Sequence, residues 1–204
     1  MRGRVAVVAG GARNIGAAIA RLFAAEGATV IIGDLREDEG RALAEELGDT
    51  ATFSGLDVTD EASWTRLVES TETRFGPVSV LVNNAAIIPF AHLADMDTAC
   101  FDRCLAVNVR GTFLGMRALA GSMTRAGGGS IINLSSVQGL VGLEGTGGVH
   151  GQQVRRPRHD QGGRVGARPT RHTGQLHPPR EDRCGEGARR ARGRPDVRSR
   201  RSRA

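Results

Sequence analysis

The side chains able to build a core run out at residue 148. Residues 149–204 contain no Phe, Ile, Met or Trp and a single Leu, Leu176. Such a segment cannot bury enough apolar surface to offset the entropy lost on ordering it. Charge changes at the same point. Residues 1–148 carry 12 arginines against 17 carboxylates, whereas residues 149–204 carry 16 against 5. The formal net charge of +6 at pH 7 therefore combines an acidic body with a basic tail. We read 1–148 as one globular domain, within the usual domain size, and 149–204 as a disordered tail.

Within the body, short apolar runs alternate with helical patterns. Val5–Ala9 is a continuous apolar run, as suits a strand buried on both faces. Residues 15–26 place Ile19, Leu22 and Phe23 at helical spacing, and Gly27 ends the pattern. β-Branched residues at 29–33 predict a second strand. Glu37–Leu47 reads as a charged amphipathic helix closed by Gly48, and Ala51–Gly55 as a third strand. Asp60 suits the N-cap of a helix running to Phe75, with Gly76-Pro77 as its stop. Residues 78–82 and 130–134 predict a fourth and a fifth strand, and 99–125 a long helical region broken near 108–111. Strands separated by helices of about 10–15 residues predict an α/β fold with a doubly wound parallel sheet. Its crossovers should be right-handed, with ligands at the carboxyl ends of the strands.

Composition excludes several chemistries. All 28 basic residues are Arg, and the chain has no Lys and no Tyr. It cannot use a lysine Schiff base, a P-loop lysine or a tyrosine acid/base. Cys100 and Cys104 are four apart on a predicted helix, with Cys184 in the tail and no further ligands nearby. They read as core or incidental residues, and no metal is expected. Met1-Arg2-Gly3-Arg4 leads straight into the first apolar run, which gives no expectation of a secretory leader. No apolar stretch approaches the ~18 residues of a membrane span. The expected location is the cytoplasm.

The first strand is followed by Gly10-Gly11-Ala12-Arg13-Asn14-Ile15-Gly16 and then a helix. Small residues here let the backbone approach a pyrophosphate, and the helix N-terminus supplies N–H groups and positive dipole. The second strand leads to Asp34, 18 residues after Gly16. A carboxylate there accepts hydrogen bonds from ribose hydroxyls and repels a 2′-phosphate, favouring NAD over NADP. Arg36 and Arg13 lie close enough in sequence to soften that preference.

In these residues the body resembles the short-chain dehydrogenase/reductase family, a Rossmann-type fold, over nearly all of 1–148. The family's T-G-x-x-x-G-x-G turn stands as Ala9-Gly10-Gly11-Ala12-Arg13-Asn14-Ile15-Gly16, with Ala9 for Thr and Asn14 for the middle Gly. Asn is the non-glycine residue best suited to left-handed backbone angles. Asp57-Val58 resembles the family's adenine-contacting pair. Asn83-Asn84-Ala85-Ala86 resembles its N-N-A-G motif, from which Asn83 and Ala85 are expected at the cofactor. Asn108 matches the asparagine that helps hold a proton-relay water, and Ser136 the serine that orients the substrate. The Gly-Gly-Ala-Arg turn and the Ser-Ser-Val-Gln-Gly-Leu-Val-Gly-Leu run resemble bacterial hydroxysteroid dehydrogenases most, with 3-oxoacyl-carrier reductases as an alternative.

The resemblance implies hydride transfer between NAD(H) and a secondary alcohol or ketone, in a homo-oligomer when the family protein is intact. It also implies a Tyr-x-x-x-Lys pair, with Tyr as general acid/base and Lys lowering its pKa. Counting 13 residues from Ser136 reaches Val149, and four more reach Gln153. Valine does not titrate, and glutamine carries no charge to depress a phenol's pKa. The later strands are lost with the pair, which leaves the fifth strand as a sheet edge. As written, the chain is expected to be inactive.

The genetic code offers a reason. Val149-His150 reads GTN-CAY, and the codon one base on, TNC, permits Tyr. Gln153-Val154 reads CAR-GTN, and its shifted codon ARG is Lys or Arg. Likewise Thr173-Gly174-Gln175-Leu176-His177-Pro178-Pro179-Arg180 permits Arg-Val-Asn-Ser-Ile-His-Pro-Gly, the family's R-V-N-x-x-x-P-G stretch. Residues 149–204 are therefore read as a frameshift near Gly147-Gly148, whether in the gene or in its sequencing.

Two other classes compete. The 16 arginines of the tail suit a phosphate-binding arm on a nucleic acid. That tail has no aromatic residue to stack on bases and no repeated Arg-Gly-Gly pattern, so no specific nucleic-acid partner is expected. A non-catalytic NAD-binding protein is the other alternative. The coding DNA tests the frameshift directly. The next frame after codon 148 should encode Tyr-x-x-x-Lys, and its absence there would end the frameshift reading.

Overall fold

The computed structural model describes residues 1–89 and 95–136. The tail, the predicted Tyr and Lys positions at Val149 and Gln153, and the frameshift point lie outside the described residues. Five strands alternate with helices: β1 (Val5–Ala9), α1 (Asn14–Ala25), β2 (Thr29–Asp34), α2 (Glu37–Leu47), β3 (Ala51–Gly55), α3 (Glu61–Phe75), β4 (Val80–Asn83), α4 (Thr98–Leu105), α5 (Thr112–Arg125) and β5 (Ser130–Asn133). All pairings are parallel, in the order β3-β2-β1-β4-β5. The order reverses between β1 and β4, which is the switch point where such sheets bind ligands.

Side-chain alternation splits the core into two layers. Val5, Val7, Ala9, Ile31 and Leu81 face one way and pack on Trp64 and Leu67 of α3 and Leu114 and Leu119 of α5. Ala6, Val8, Val30, Ile32, Val80 and Val82 face the other way, onto Ala17, Ala20 and Ala24 of α1 and Leu43 of α2. All five residues of β1 are buried, as expected of a central strand covered on both faces. At the other extreme, β5 pairs only with β4 among the described residues, and Ile131 and Ile132 are half-buried. Among the described residues the fifth strand is thus an edge of the sheet. No helix of the described residues is long and apolar enough to cross a membrane.

Helices α1, α2 and α3 stop at or just before Gly27, Gly48 and Gly76. Asp60 caps α3 as predicted, its side chain accepting from the N–H groups of Ala62 and Ser63 at 3.0 and 3.1 Å. Two expectations are corrected. The fourth strand begins at Val80, not residue 78, because Val78 gives its N–H to Ser122 Oγ on α5 at 2.8 Å. The long helix does not break near 108–111. It widens there into a π-helical turn, Ala106–Gly111, between α4 and α5. Cys100 and Cys104 are both buried on α4.

Trp64 is the only tryptophan of a chain without tyrosine and is 1% exposed. Its Nε1–H donates to the Val58 carbonyl at 3.0 Å. Trp64 emission should therefore be blue-shifted and report unfolding of the α3 layer. Removing the α3 cap with Asp60→Ala should cost about 1 kcal/mol, read as a lower denaturation midpoint by that fluorescence. An unchanged midpoint would contradict the capping role.

Candidate functional site

The residues singled out in the sequence gather at the carboxyl ends of the five strands. β1 ends at Ala9, and the chain turns at Gly10 with φ +75. The N–H groups of Gly10 and Gly11 both reach back to the Gly33 carbonyl on β2, at 2.7 and 3.2 Å. A Cβ on Gly10 would lie 2.7 Å from the Cα and N of Ala85, beyond the end of β4. Only glycine satisfies both the left-handed backbone and this approach. Asn14 opens α1 with φ 49, the left-handed angle that its identity foretold. Gly16 sits under the turn, where a Cβ would collide with the Gly10 carbonyl and lie 2.8 Å from Asn84 Nδ2.

The N-terminus of α1 has no side-chain cap, and no acidic residue stands in its first turn. Arg13 takes the N-cap position in extended geometry, half-buried, and Ile15 is 43% exposed at the mouth. A helix start holds N–H groups without intrahelical partners and the positive end of the dipole. With no capping side chain at Arg13 and no acidic residue in the first turn, they suit an external anion. The small, uncapped turn fits a dinucleotide's pyrophosphate.

Asp34 stands at the end of β2 beside this turn. Its Oδ2 accepts the Ala12 N–H at 3.0 Å and its Oδ1 the Arg36 N–H at 3.1 Å. The carboxylate is thereby fixed by backbone on both sides. After β3, Asp57 Oδ1 accepts the N–H and hydroxyl of Thr59 at 2.8 and 2.7 Å, forming a tight Asx turn. Val58 is buried behind it, with Gly111 packed so closely that a Cβ there would lie 2.9 Å from Val58 Cγ2.

Two asparagines predicted at the site hydrogen-bond within the protein. Asn83 is 6% exposed, and its Nδ2 donates to Asn133 Oδ1 at 2.8 Å, joining β4 to β5. Asn108, 2% exposed on the π-helical turn, grips the backbone of Ile87 from both ends of its amide. It accepts the Ile87 N–H and donates to the Ile87 carbonyl, each at 2.9 Å. The segment after β4 is thus tied to the helix that crosses it. Ser136, half-buried, follows β5 at the same edge of the sheet.

The residue that sequence reasoning passed over is Asn84. Its Nδ2 donates to the Gly10 carbonyl at 2.6 Å, while Asn84 and Ala85 give their N–H groups to the Ala9 carbonyl at 3.1 and 2.9 Å. Strand alternation carries the signal: with Asn83 turned into the core, the next side chain must face the other way, toward the glycine turn. No group of three His, Cys, Asp or Glu that could hold a metal occurs among the described residues.

Gly16→Ala tests the turn through the sign of its effect. Helix propensity alone would make alanine more stable by about 1 kcal/mol. Collision with the Gly10 carbonyl should reverse this and cost about 1–3 kcal/mol, as overpacking does. A raised denaturation midpoint would contradict the close approach.

The family model for short chain dehydrogenase matches residues 4–148. A 3-alpha-(or 20-beta)-hydroxysteroid dehydrogenase of Mycobacterium tuberculosis is 49% identical over 140 residues, covering 69% of this chain and 54% of that protein. A trans-4-hydroxycyclohexanecarboxylate dehydrogenase of Sinomonas cyclohexanicum is 47% identical over 150 residues, covering 69% and 58%. An NADP-dependent (R)-specific alcohol dehydrogenase of Lentilactobacillus kefiri is 43% identical over 145 residues, covering 70% and 58%. The chain spans about half the length of the curated relatives it matches. With a family match over most of its length and the strand-ends described above, the chain belongs to the short chain dehydrogenase family.

Proposed function

We propose that the chain is the nucleotide-binding part of an NAD(H)-dependent oxidoreductase acting on a secondary alcohol or ketone, and that as written it binds cofactor without turning substrate over. The uncapped start of α1 against the Gly10–Ala85 contact carries this reading. When bound, the nicotinamide supplies the hydride acceptor or donor. Gly10, Arg13, Asn14, Ile15 and Gly16 present backbone to the pyrophosphate. Asp34, pre-oriented by two backbone N–H groups, accepts the ribose hydroxyls and disfavours a 2′-phosphate. Asp57 and Val58 bound the adenine, and Ala85 lies against the cofactor at the switch point. Asn83 acts through β4, which it ties to β5.

At the chemical end, Ser136 orients the substrate oxygen and Asn108 shapes the relay by fixing the backbone at Ile87. The acid/base is missing, because Val149 and Gln153 stand where the family carries Tyr and Lys. The family match ends at residue 148, where composition and charge change and where the shifted codons begin to permit family residues. This coincidence supports a frameshift as the origin of 149–204. The likeness to a hydroxysteroid dehydrogenase favours a bulky alicyclic alcohol as the parent protein's substrate.

NADH titration of the full chain, with steady-state turnover of a hydroxysteroid, tests both halves. Binding should be measurable, and turnover should fall at least ~10²-fold below an intact relative, the usual worth of general acid–base catalysis. Near-normal turnover would contradict the missing acid/base, and absent NADH binding would contradict the cofactor site.

A further inference from the structure

The turn after β2 mixes charges of both signs, and the structure pairs them unevenly. Asp34 is held by the N–H groups of Ala12 and Arg36, so its place does not depend on which side chain stands at 36. The Arg36 guanidinium is held separately. Its Nη1 donates to Glu39 Oε1 at 3.0 Å, one turn along the chain into α2. The Glu39 carboxyl is held below its ordinary value, first by its own backbone N–H, then by the Arg36 hydrogen bond, with the charges of Arg36 and Arg13 adding. Both arginines flanking the Asp34 corner thus feel the charge of Glu39. A guanidinium at this corner is the group best suited to a 2′-phosphate, because its planar donors match phosphate oxygens.

We propose that Glu39 is a specificity-determining residue, which holds Arg36 in an ion pair and so keeps it from pairing with a 2′-phosphate on the adenosine ribose. Asp34 alone then sets the preference for the unphosphorylated dinucleotide. This inference rests on the reading that a nicotinamide dinucleotide occupies the glycine turn. Glu39 contacts neither ribose nor phosphate and acts through Arg36, as a positioning residue. Side chains of the pair are 46% and 48% exposed, so water and salt weaken it. The effect on 2′-phosphate binding should be modest, about threefold to fivefold, and should fade as salt rises.

The test titrates the full chain, Glu39→Gln and the double variant Arg36→Gln/Glu39→Gln with NADH and with NADPH, following nucleotide fluorescence at low and at high salt. Residues 36 and 39 are exposed, so the variants should melt as the parent does. Glu39→Gln should tighten NADPH about threefold to fivefold while leaving NADH within about twofold. The gain should vanish in the double variant and shrink at about 1 M salt, where the screening length is about 3 Å. An unchanged NADPH-to-NADH ratio in Glu39→Gln, or a gain that survives in the double variant, overturns the role of Glu39 while NADH binding by the parent chain keeps the cofactor reading intact. A parent chain that binds neither nucleotide overturns both.

Discussion

Everything at the functional edge depends on how closely the backbone after β1 passes the backbone after β4. At Gly10 the two come within a distance that excludes even a methyl group. The contact is possible because β1 and β4 are neighbours in the sheet although α1, β2, α2, β3 and α3 separate them along the chain. It is fastened by three bonds, from the N–H groups of Asn84 and Ala85 to Ala9 and from the Asn84 amide to Gly10. With the turn pinned on that side, the two N–H bonds to Gly33 and the Ala12 bond to Asp34 fix it on the other. The start of α1 is then aimed into the crevice with no side chain of its own to cap it. The glycines serve the approach of protein to protein as much as the approach of protein to ligand.

Much of this was legible in the residues. β1, α2 and β3 lie where their patterns put them, because each is a local pattern closed by glycine or a change of period. Asn14 foretold a left-handed angle, since few other side chains accept one. The start of β4 was misplaced because Val78 looks like any strand valine, and only its long-range bond to Ser122 removes it from the ladder. The π-helical turn was read as a break because Asn108 and Gly111 are weak helix formers. In three dimensions Asn108 is anchored on Ile87, and Gly111 makes room for Val58. Side-chain destinations were the least legible. A motif shows that two adjacent asparagines belong together, but the inward turn of one and the outward turn of the other depend on where the strand stops.

The missing Tyr and Lys link composition to mechanism. The resemblance to the family calls for both just past residue 148, and the sequence has neither. On the proposed reading, the strand-end geometry that would hold a nucleotide is in place, while the Tyr and Lys that the resemblance calls for are absent from the sequence. An NADP-dependent enzyme among the relatives shows that family membership alone does not set the coenzyme. The local charges at Asp34, Arg36 and Glu39 are therefore where that choice has to be sought.

Hydrogen exchange on the full chain with and without NADH tests the central claim most directly. The backbone N–H groups in question are those at the start of α1, residues 13–16, so bound dinucleotide should slow their exchange more than that of any other segment. Protection confined to 149–204, or spread with no maximum at the start of α1, would contradict the assignment of the glycine turn as the cofactor site.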